Sequence, residues 1–367
     1  MSHAVVLGGG IVGLWTAEVL SSRGHQVTIR SAHPPEFTFS SAAACVITPL
    51  LPWEPNDPRF VIAWGRYKRT IAKFREIDAG RAPNDRFIEP MPSYECGYEE
   101  EGKKFLEKEF NVDKFNHLPF TAIEIIPLNP PVQIKNYTND TQTNTFCAKF
   151  LADFCNTEVF LAWLHGELVN RGVIFEYSPV QSLNEIKNLQ ADVVFNCMGF
   201  GSSKIFPDDS LYHVRGQSMF VDADRLNGPF FGIASGHHAI FKHRRGFYLG
   251  SYFIEKENIV RPYPHSMEYE LSMEFANGPY KVLCNRLGFQ IPEIDFNRIR
   301  RVNTGIRPYR PEGPRVEVDE ILANSATQPI KLVHNYGHGA HGWTIGYATA
   351  EDAVNAAEVR GWLKWVE

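Results

Sequence analysis

Three glycines in Gly8-Gly9-Gly10-Ile11-Val12-Gly13 have the Gly-x-Gly-x-x-Gly spacing that lets a backbone approach a pyrophosphate. Gly8 supplies the sharp turn, Gly10 the close approach to phosphate, and Gly13 the contact between the following helix and the preceding strand. Phosphate oxygens then meet the unpaired N–H groups and positive end of that helix. A second glycine-rich stretch, Asn335-Tyr336-Gly337-His338-Gly339-Ala340-His341-Gly342, opens another helix at Trp343 and offers further N–H donors. Two such sites at opposite ends of one chain suit a long cofactor. The fingerprint alone does not name it. An acidic residue normally follows ~20 residues on and binds a ribose hydroxyl; this chain has Arg30-Ser31 there. An arginine in that place is compatible with a 2′-phosphate, and hence with NADP.

The elements that position these groups are an alternation of strands and helices. Ala4 to Leu7 form an apolar run of the kind found in buried parallel strands, with a helix from Ile11 and a second strand from Gln26 to Arg30. The loop from His33 to Cys45 is rich in small and hydroxylated residues, which suits either contact with a ligand or a flexible connection. Asn56-Asp57-Pro58 caps a helix whose Phe60, Trp64, Tyr67, Ile71 and Phe74 recur at spacings of three and four, a core stripe. From about 83 to 150, short strands, prolines and a charged helix near 98–110 interrupt the alternation, so a second domain is inserted. A helix over 159–171 and strands over 173–177 and 191–196 return to the first. Residues 214–253 are strand-rich; two helices over 266–289, strands over 299–306 and 330–334 and the final helix complete the chain.

Composition bounds the function. The chain has 367 residues, 44% hydrophobic and 22% charged, which predicts a globular protein with a sizeable core. A net charge of −5 gives no electrostatic reason to expect nucleic acid or a membrane surface. The basic run Lys242-His243-Arg244-Arg245-Gly246 reads as a solvated hairpin turn. The six cysteines show no Cys-x-x-Cys spacing and no secretory signal precedes them, so reduced thiols and a cytoplasmic location are expected. No run is long enough to span a membrane, no peroxisomal address ends the chain, and no metal site is indicated.

The sequence resembles the D-amino acid oxidase family of FAD enzymes over nearly its whole length. The match rests on Val214-Arg215-Gly216-Gln217 with Val221-Asp222-Ala223, on Gly305-Ile306-Arg307-Pro308-Tyr309-Arg310-Pro311, and above all on His334-Asn335-Tyr336-Gly337-His338-Gly339. It implies an α/β fold with a Rossmann-like FAD-binding domain (1–80, 145–212 and 300–367) and an interleaved, strand-rich α+β substrate domain (81–144 and 213–299). It also implies FAD rather than NADP, leaving Arg30 and Ser31 at the ribose side. Carried over by position, FAD contacts fall on Gly8, Gly10, Ile11, Val12 and Gly13, and on Ser40 and Ser41. Ala44, Cys45 and Val46 lie beside the flavin ring, Val180 near the adenine, and Met198 where relatives have threonine. Gly339, Ala340, His341, Gly342, Trp343 and Thr344 line the flavin, and Cys45 is read as a small buried hydrophobe rather than a covalent link.

The same resemblance makes Arg307 the anchor of a substrate α-carboxylate, through two parallel hydrogen bonds from a guanidinium held by a proline-stiffened backbone. Arg310 reads as structural. The implied reaction is hydride transfer from Cα of a D-amino acid to flavin N5, without a side-chain base. The imino acid product hydrolyses to a 2-oxo acid and ammonia, and oxygen is the electron acceptor. N–H groups at a helix start suit the negative charge that hydride leaves on the flavin. One departure marks the pocket. Where relatives carry two tyrosines, this chain has Ala234-Ser235-Gly236-His237-His238-Ala239-Ile240-Phe241, with Ala239 at the second tyrosine position. His237, His238 or Tyr252 replaces the lost hydrogen bond, or the pocket, which Ala340 also borders, admits a bulkier substrate; the two histidines also read as a surface pair on a loop. Three rivals stay open: a flavin amine dehydrogenase for glycine-like, N-substituted or bulkier substrates, a non-catalytic flavin-binding protein, and an NADP-dependent reductase. The partners expected are a small amino acid or amine and oxygen, with a homodimer compatible.

Overall fold

The computed structural model describes residues 1–43, 46–48, 57–97, 124–135, 140–223, 230–235, 238–243, 246–250, 254–255, 267–289, 294–321 and 329–364. The chain begins with β1 (His3–Leu7), whose Ala4 to Leu7 are buried, and turns at Gly8 with φ 108° into α1 (Ile11–Ser22). A Cβ on Gly13 would lie 1.9 Å from the Gly8 carbonyl oxygen, so only glycine lets this helix lie so close to the strand. After β2 (Gln26–Arg30) and the short β3 (Val46–Ile47) comes α2 (Pro58–Asp78). The Asp57 carboxylate accepts the Arg59 N–H at its start. Phe60, Tyr67, Ile71 and Phe74 on this helix are buried, as their spacing predicts, and Trp64 stacks on Phe60.

The strand-rich region contains β4 (Ile88–Gly97), β5 (Glu124–Lys135) and the 15-residue β6 (Thr141–Cys155). Then follow α3 (Thr157–Asn170), β7 (Ile174–Glu176), α4 (Leu183–Lys187) and β8 (Val193–Asn196). Next come β9 (Tyr212–Asp222), β10 (Phe231–Ser235), β11 (His238–His243), β12 (Gly246–Gly250) and β13 (Ile254–Glu255). The chain ends with α5 (Met267–Asn277), α6 (Pro279–Arg286), β14 (Ile299–Tyr309), β15 (Arg315–Ile321), β16 (Ile330–Tyr336) and α7 (Gly342–Val359).

Among the described residues these strands form two sheets. The first has the order β15-β16-β8-β1-β2-β7, parallel except for the β15 edge. Helices α1, α2, α3 and α7 cover it around Trp15, whose ring lies 5.5 Å from Phe74 and 5.3 Å from Phe160. The second is larger, β13-β9-β12-β11-β10-β4-β6-β3, with β14 also on β9 and β5 also on β6. One face buries Phe231, Ile233, Ile240 and Leu249 against α5 and α6. Its other face is concave: the Phe154 ring of β6 reaches within 5.6 Å of Tyr248 on β12, four strands away. This is the α/β architecture expected of the chain, a nucleotide-binding parallel sheet beside a strand-rich second unit.

Two expectations are corrected. Cys96 and Cys147 stand opposite one another in the β4–β6 register, Cα atoms 4.0 Å apart, and form a disulfide. The sequence separation of 51 hides this pair, because only strand register brings it together. Lys242 is not part of a solvated turn but is buried, its ammonium 5.8 Å from the centre of the Phe231 ring, and burial lowers its pKa. The hairpin itself stands, with His243 paired to Gly246, while Arg244, Arg245 and the charged helix near 98–110 lie outside the described residues. The domain division read from the sequence assigns 145–155 and 300–309 to the cofactor unit, whereas β6 and β14 pair within the large sheet. A division following the two sheets therefore stands as a proposal.

Candidate active site

The crevice lies at the carboxyl ends of β1, β8 and β16, where open parallel sheets bind ligands. Its wall is built by the two glycine-rich turns. A Cβ on Gly342 would lie 3.6 Å from Ile11 and 3.8 Å from Val12, so the starts of α1 and α7 touch although 331 residues separate them. Neither helix has an acidic residue in its first turn, and neither N-cap residue supplies a side-chain acceptor. Both ends therefore keep their positive character for an anionic or electron-rich ligand.

Hydroxyl groups order the phosphate loop. Ser31 Oγ accepts the Gly9 N–H at 3.1 Å, and Ser40 Oγ accepts the Ile11 N–H at 2.9 Å. The Ser40 carbonyl in turn accepts the Trp343 indole N–H at 3.1 Å, tying the loop to α7. Ser41 Oγ closes a local turn on the Thr38 carbonyl. Met198 borders the Gly8 turn, its Cα 3.1 Å from where a Gly8 Cβ would be, and Val180 packs in the same apolar cluster. Val46 lies with Phe146, Ala148, Phe150 and Ala152 on the concave face. Arg30 is held at the sheet edge by Ser178, 3.2 Å, with Glu176 4.0 Å away, so an acidic group does stand here, contributed by β7 instead of β2.

The second glycine-rich loop rests on buried neutral histidines. His338 shares a 2.8 Å hydrogen bond with Thr349 of α7, and burial depresses its pKa to about 3. His334 stands 3.1 Å from the Asn196 amide; burial and then Arg315 lower it to about 4 against the pull of Asp319. Asn335 donates to Thr16 of α1 at 3.3 Å, and Tyr336 donates to Asp208 at 2.7 Å. Asp208 also pairs with Arg310 at 3.0 Å, which explains why that arginine is a structural group. Gly339, φ 57°, donates its N–H to the Pro308 carbonyl at 2.7 Å, and Ala340 beside it is exposed. His341 is the N-cap residue of α7, and Trp343 and Thr344 are buried in its first turn.

Arg307 lies between these loops. Along β14, Pro308 contacts Gly339 and stands 3.6 Å from the Cβ position of Gly199, while a Gly305 Cβ would meet Ala42 at 3.4 Å. Its guanidinium rests on Gly216 of β9: a Cβ there would be 2.3 Å from Nη1 and 2.5 Å from Nη2. Gly216 was visible in the sequence as part of Val-Arg-Gly-Gln, but its service to Arg307 appears only in the β9–β14 register. Burial lowers the Arg307 pKa to about 10, although part of its surface stays accessible, as for a cation set into a concave wall.

Ala239 shares this face, because it pairs with Gly250 and Gly250 with Ser218, two residues from Gly216. His238 does not. It points to the opposite face, stacks on Phe275 and bonds the Lys135 carbonyl at 2.6 Å, so it does not take the place of a pocket tyrosine. Tyr252, His237, Ala44 and Cys45 lie outside the described residues. Glu95 of β4 was missed altogether: it faces the same concave side, yet nothing in Ser93-Tyr94-Glu95-Cys96 sets it apart from a surface carboxylate.

Residues 3–356 match the family described as FAD dependent oxidoreductase. A D-amino-acid oxidase of Rubrobacter xylanophilus is 27% identical over 97% of this chain and 96% of its own length. D-aspartate oxidase 1 of Caenorhabditis elegans is 27% identical over 57% of this chain and 58% of its own. Among solved structures, glycine oxidase from Bacillus cereus superposes with TM-score 0.69 at 14% identity, over 100% of this chain and 96% of its own. Iminodiacetate oxidase from Chelativorans superposes equally well, TM-score 0.69, over 99% and 97%. At such identities the structural likeness is one of fold.

Proposed function

The chain belongs to the family of FAD-dependent oxidoreductases, and from that premise we propose that it oxidises an α-amino acid, most simply one of D configuration, to an imino acid. The residues present fit FAD: the Gly8–Gly13 cradle tolerates no side chain at Gly13, and two helix starts whose N-cap side chains make no cap bond and whose first turns carry no acid meet in one crevice. When bound, the flavin accepts the hydride that leaves the substrate Cα.

The protein's own part is positioning. The observation that carries the reading is Arg307, half-buried on Gly216 between the two nucleotide loops. A planar guanidinium in this place binds a carboxylate through two charge-assisted hydrogen bonds, and its low-dielectric surroundings strengthen them. Pro308 fixes the backbone that presents it, through the Gly339 contact. With the carboxylate fixed, the amine and Cα–H have one orientation toward the crevice, which is a catalytic contribution in itself. The free imino acid hydrolyses in water, giving a 2-oxo acid and ammonia. Oxygen as electron acceptor and a cytoplasmic location belong to the same reading; no helix among the described residues is long and apolar enough to cross a membrane.

Ala239 favours a second reading within the family, a bulkier or N-substituted amine, since a small side chain stands where relatives carry tyrosine. Anaerobic titration separates them. Bleaching of the bound flavin by D-amino acids, and its loss in Arg307→Ala, supports the first reading; bleaching only by N-substituted amines replaces it with the second. A protein that binds FAD and is bleached by neither is not an amine oxidase. Substrate-dependent hydrogen peroxide in air identifies oxygen as acceptor.

A further inference from the structure

The concave face of the large sheet carries a second charged group that the proposed reaction does not use. Register places Glu95, Ala234, Ala239, Gly250 and Ser218 in one row across β4, β10, β11, β12 and β9. Directly paired residues point to the same side of a sheet, so this row faces where Arg307 lies on Gly216, two residues beyond Ser218. Between the two charges the row holds alanines, a glycine and a serine. It is a shallow lane with an arginine at one end and a glutamate at the other.

The geometry points to Glu95 as the residue that selects the substrate's far end, by pairing with a cationic group, an ammonium or guanidinium, at the tip of an amino-acid side chain. This rests on the reading that Arg307 holds the α-carboxylate. From β9 to β4 is four strand steps of about 4.8 Å, roughly 19 Å on a flat sheet, and the concavity that brings Phe154 to Tyr248 shortens it. A long side chain laid over Ala239 and Ala234 reaches toward Glu95, with the curvature of the sheet and the reach of the Glu95 side chain closing the rest, whereas that of alanine ends well short of it. A tyrosine at either alanine would block it.

The chemistry of Glu95 agrees. Among the described residues it makes no hydrogen bond or ion pair, and it is half-buried. Burial pushes its carboxyl up to about 7. A half-buried carboxylate with no partner among the described residues is costly to ionise, and a cation seated beside it removes that cost. The alternating charges, anion anchor at Arg307 and cation anchor at Glu95, also exclude acidic side chains by repulsion.

The test compares kcat/KM for D-lysine with that for D-norleucine, which has the same carbon chain but no terminal ammonium, together with D-arginine and D-aspartate. The wild-type holoenzyme is expected to prefer D-lysine over D-norleucine by about tenfold or more. Glu95→Gln should bring that ratio close to one, and Glu95→Asp should restore a preference for the cation, which a merely structural role would not do. A wild-type enzyme that turns over D-norleucine as well as D-lysine overturns the assignment without any variant. So does a preference that survives in Glu95→Gln. If the FAD-loaded protein oxidises D-amino acids of other kinds, the assignment fails while the proposed function stands; if it oxidises none, both fall.

Discussion

The cofactor crevice and the concave sheet face solve opposite problems. In the crevice the working groups are backbone N–H donors, and the residues around them matter for being small: Gly8, Gly13 and Gly342 leave room for a strand, a helix or a neighbouring turn. On the sheet face the working groups we propose are side chains, Arg307 and Glu95, carried by strands far apart in sequence and joined only through register. The first region therefore depends on local backbone geometry and the second on the pairing of long strands. Damage to the first should remove cofactor and fold together, whereas damage to the second should leave a yellow protein with altered kinetics.

The largest expected effect lies in the crevice. Gly13→Ala places a Cβ 1.9 Å from the Gly8 carbonyl, a backbone atom that cannot swing aside, so α1 must part from β1. We expect a loss of more than about 3 kcal/mol of stability and no retained FAD, read by thermal unfolding and by the visible flavin bands of the purified protein. Arg307→Ala comes next: FAD stays, while kcat/KM for an amino acid falls by about 3 kcal/mol or more, over a hundredfold. A colourless Arg307→Ala protein would mean that this arginine organises the crevice rather than the substrate, and the contrast between the regions would collapse.

This contrast also explains what could be read from the sequence. Gly8 to Gly13 and the strand and helix on either side were legible because the constraint lies within a few consecutive residues, and the core stripe of α2 was legible because helical spacing repeats. Arg307 was legible through its Gly-x-Arg-Pro setting. Cys96 and Cys147, Lys242 and Glu95 were not, since each owes its environment to cross-strand partners 51 residues or more away, or to a sheet face whose identity alternation alone does not reveal. His238 shows the same limit in reverse: a one-residue difference in strand position decides whether it or Ala239 faces the pocket, and the register chose Ala239.

Gly216→Ala sharpens the comparison at smaller scale. The nearest atoms to the new Cβ would be those at the tip of the Arg307 side chain, at 2.3–2.6 Å, and that tip can move where a backbone cannot. The fold and the flavin should survive, while KM for the amino acid rises by about tenfold with a smaller change in kcat, as a displaced anchor predicts. A large loss of stability would show instead that Arg307 is locked in place by more than Gly216.

The two regions should also differ in the sign of their pH dependence. His338 and His334 are held neutral beneath the second glycine-rich loop, with pKa values near 3 and 4 in the fold against an ordinary 6.5. Between those values the unfolded chain binds more protons than the folded one, so stability is full above pH 6.5 and falls as pH drops toward 3. Glu95 works the other way. Its carboxyl is raised from 4.5 to about 7, so the folded protein binds the extra proton, and its contribution is full below 4.5 and is lost as pH rises through 7. Thermal unfolding from pH 5 to 8.5 should therefore respond to Glu95→Gln on the alkaline side, where the variant gains relative to wild type. His338→Gln should act on the acid side, where it flattens the decline by at most about 1.4 kcal/mol per pH unit. Since a cationic substrate would draw the proton from Glu95, D-lysine added under anaerobic conditions to the wild type should abolish the alkaline difference, and D-norleucine should not. Equal protection by both would place the charge of Glu95 outside the reach of the substrate and leave the sheet face with Arg307 as its one working group.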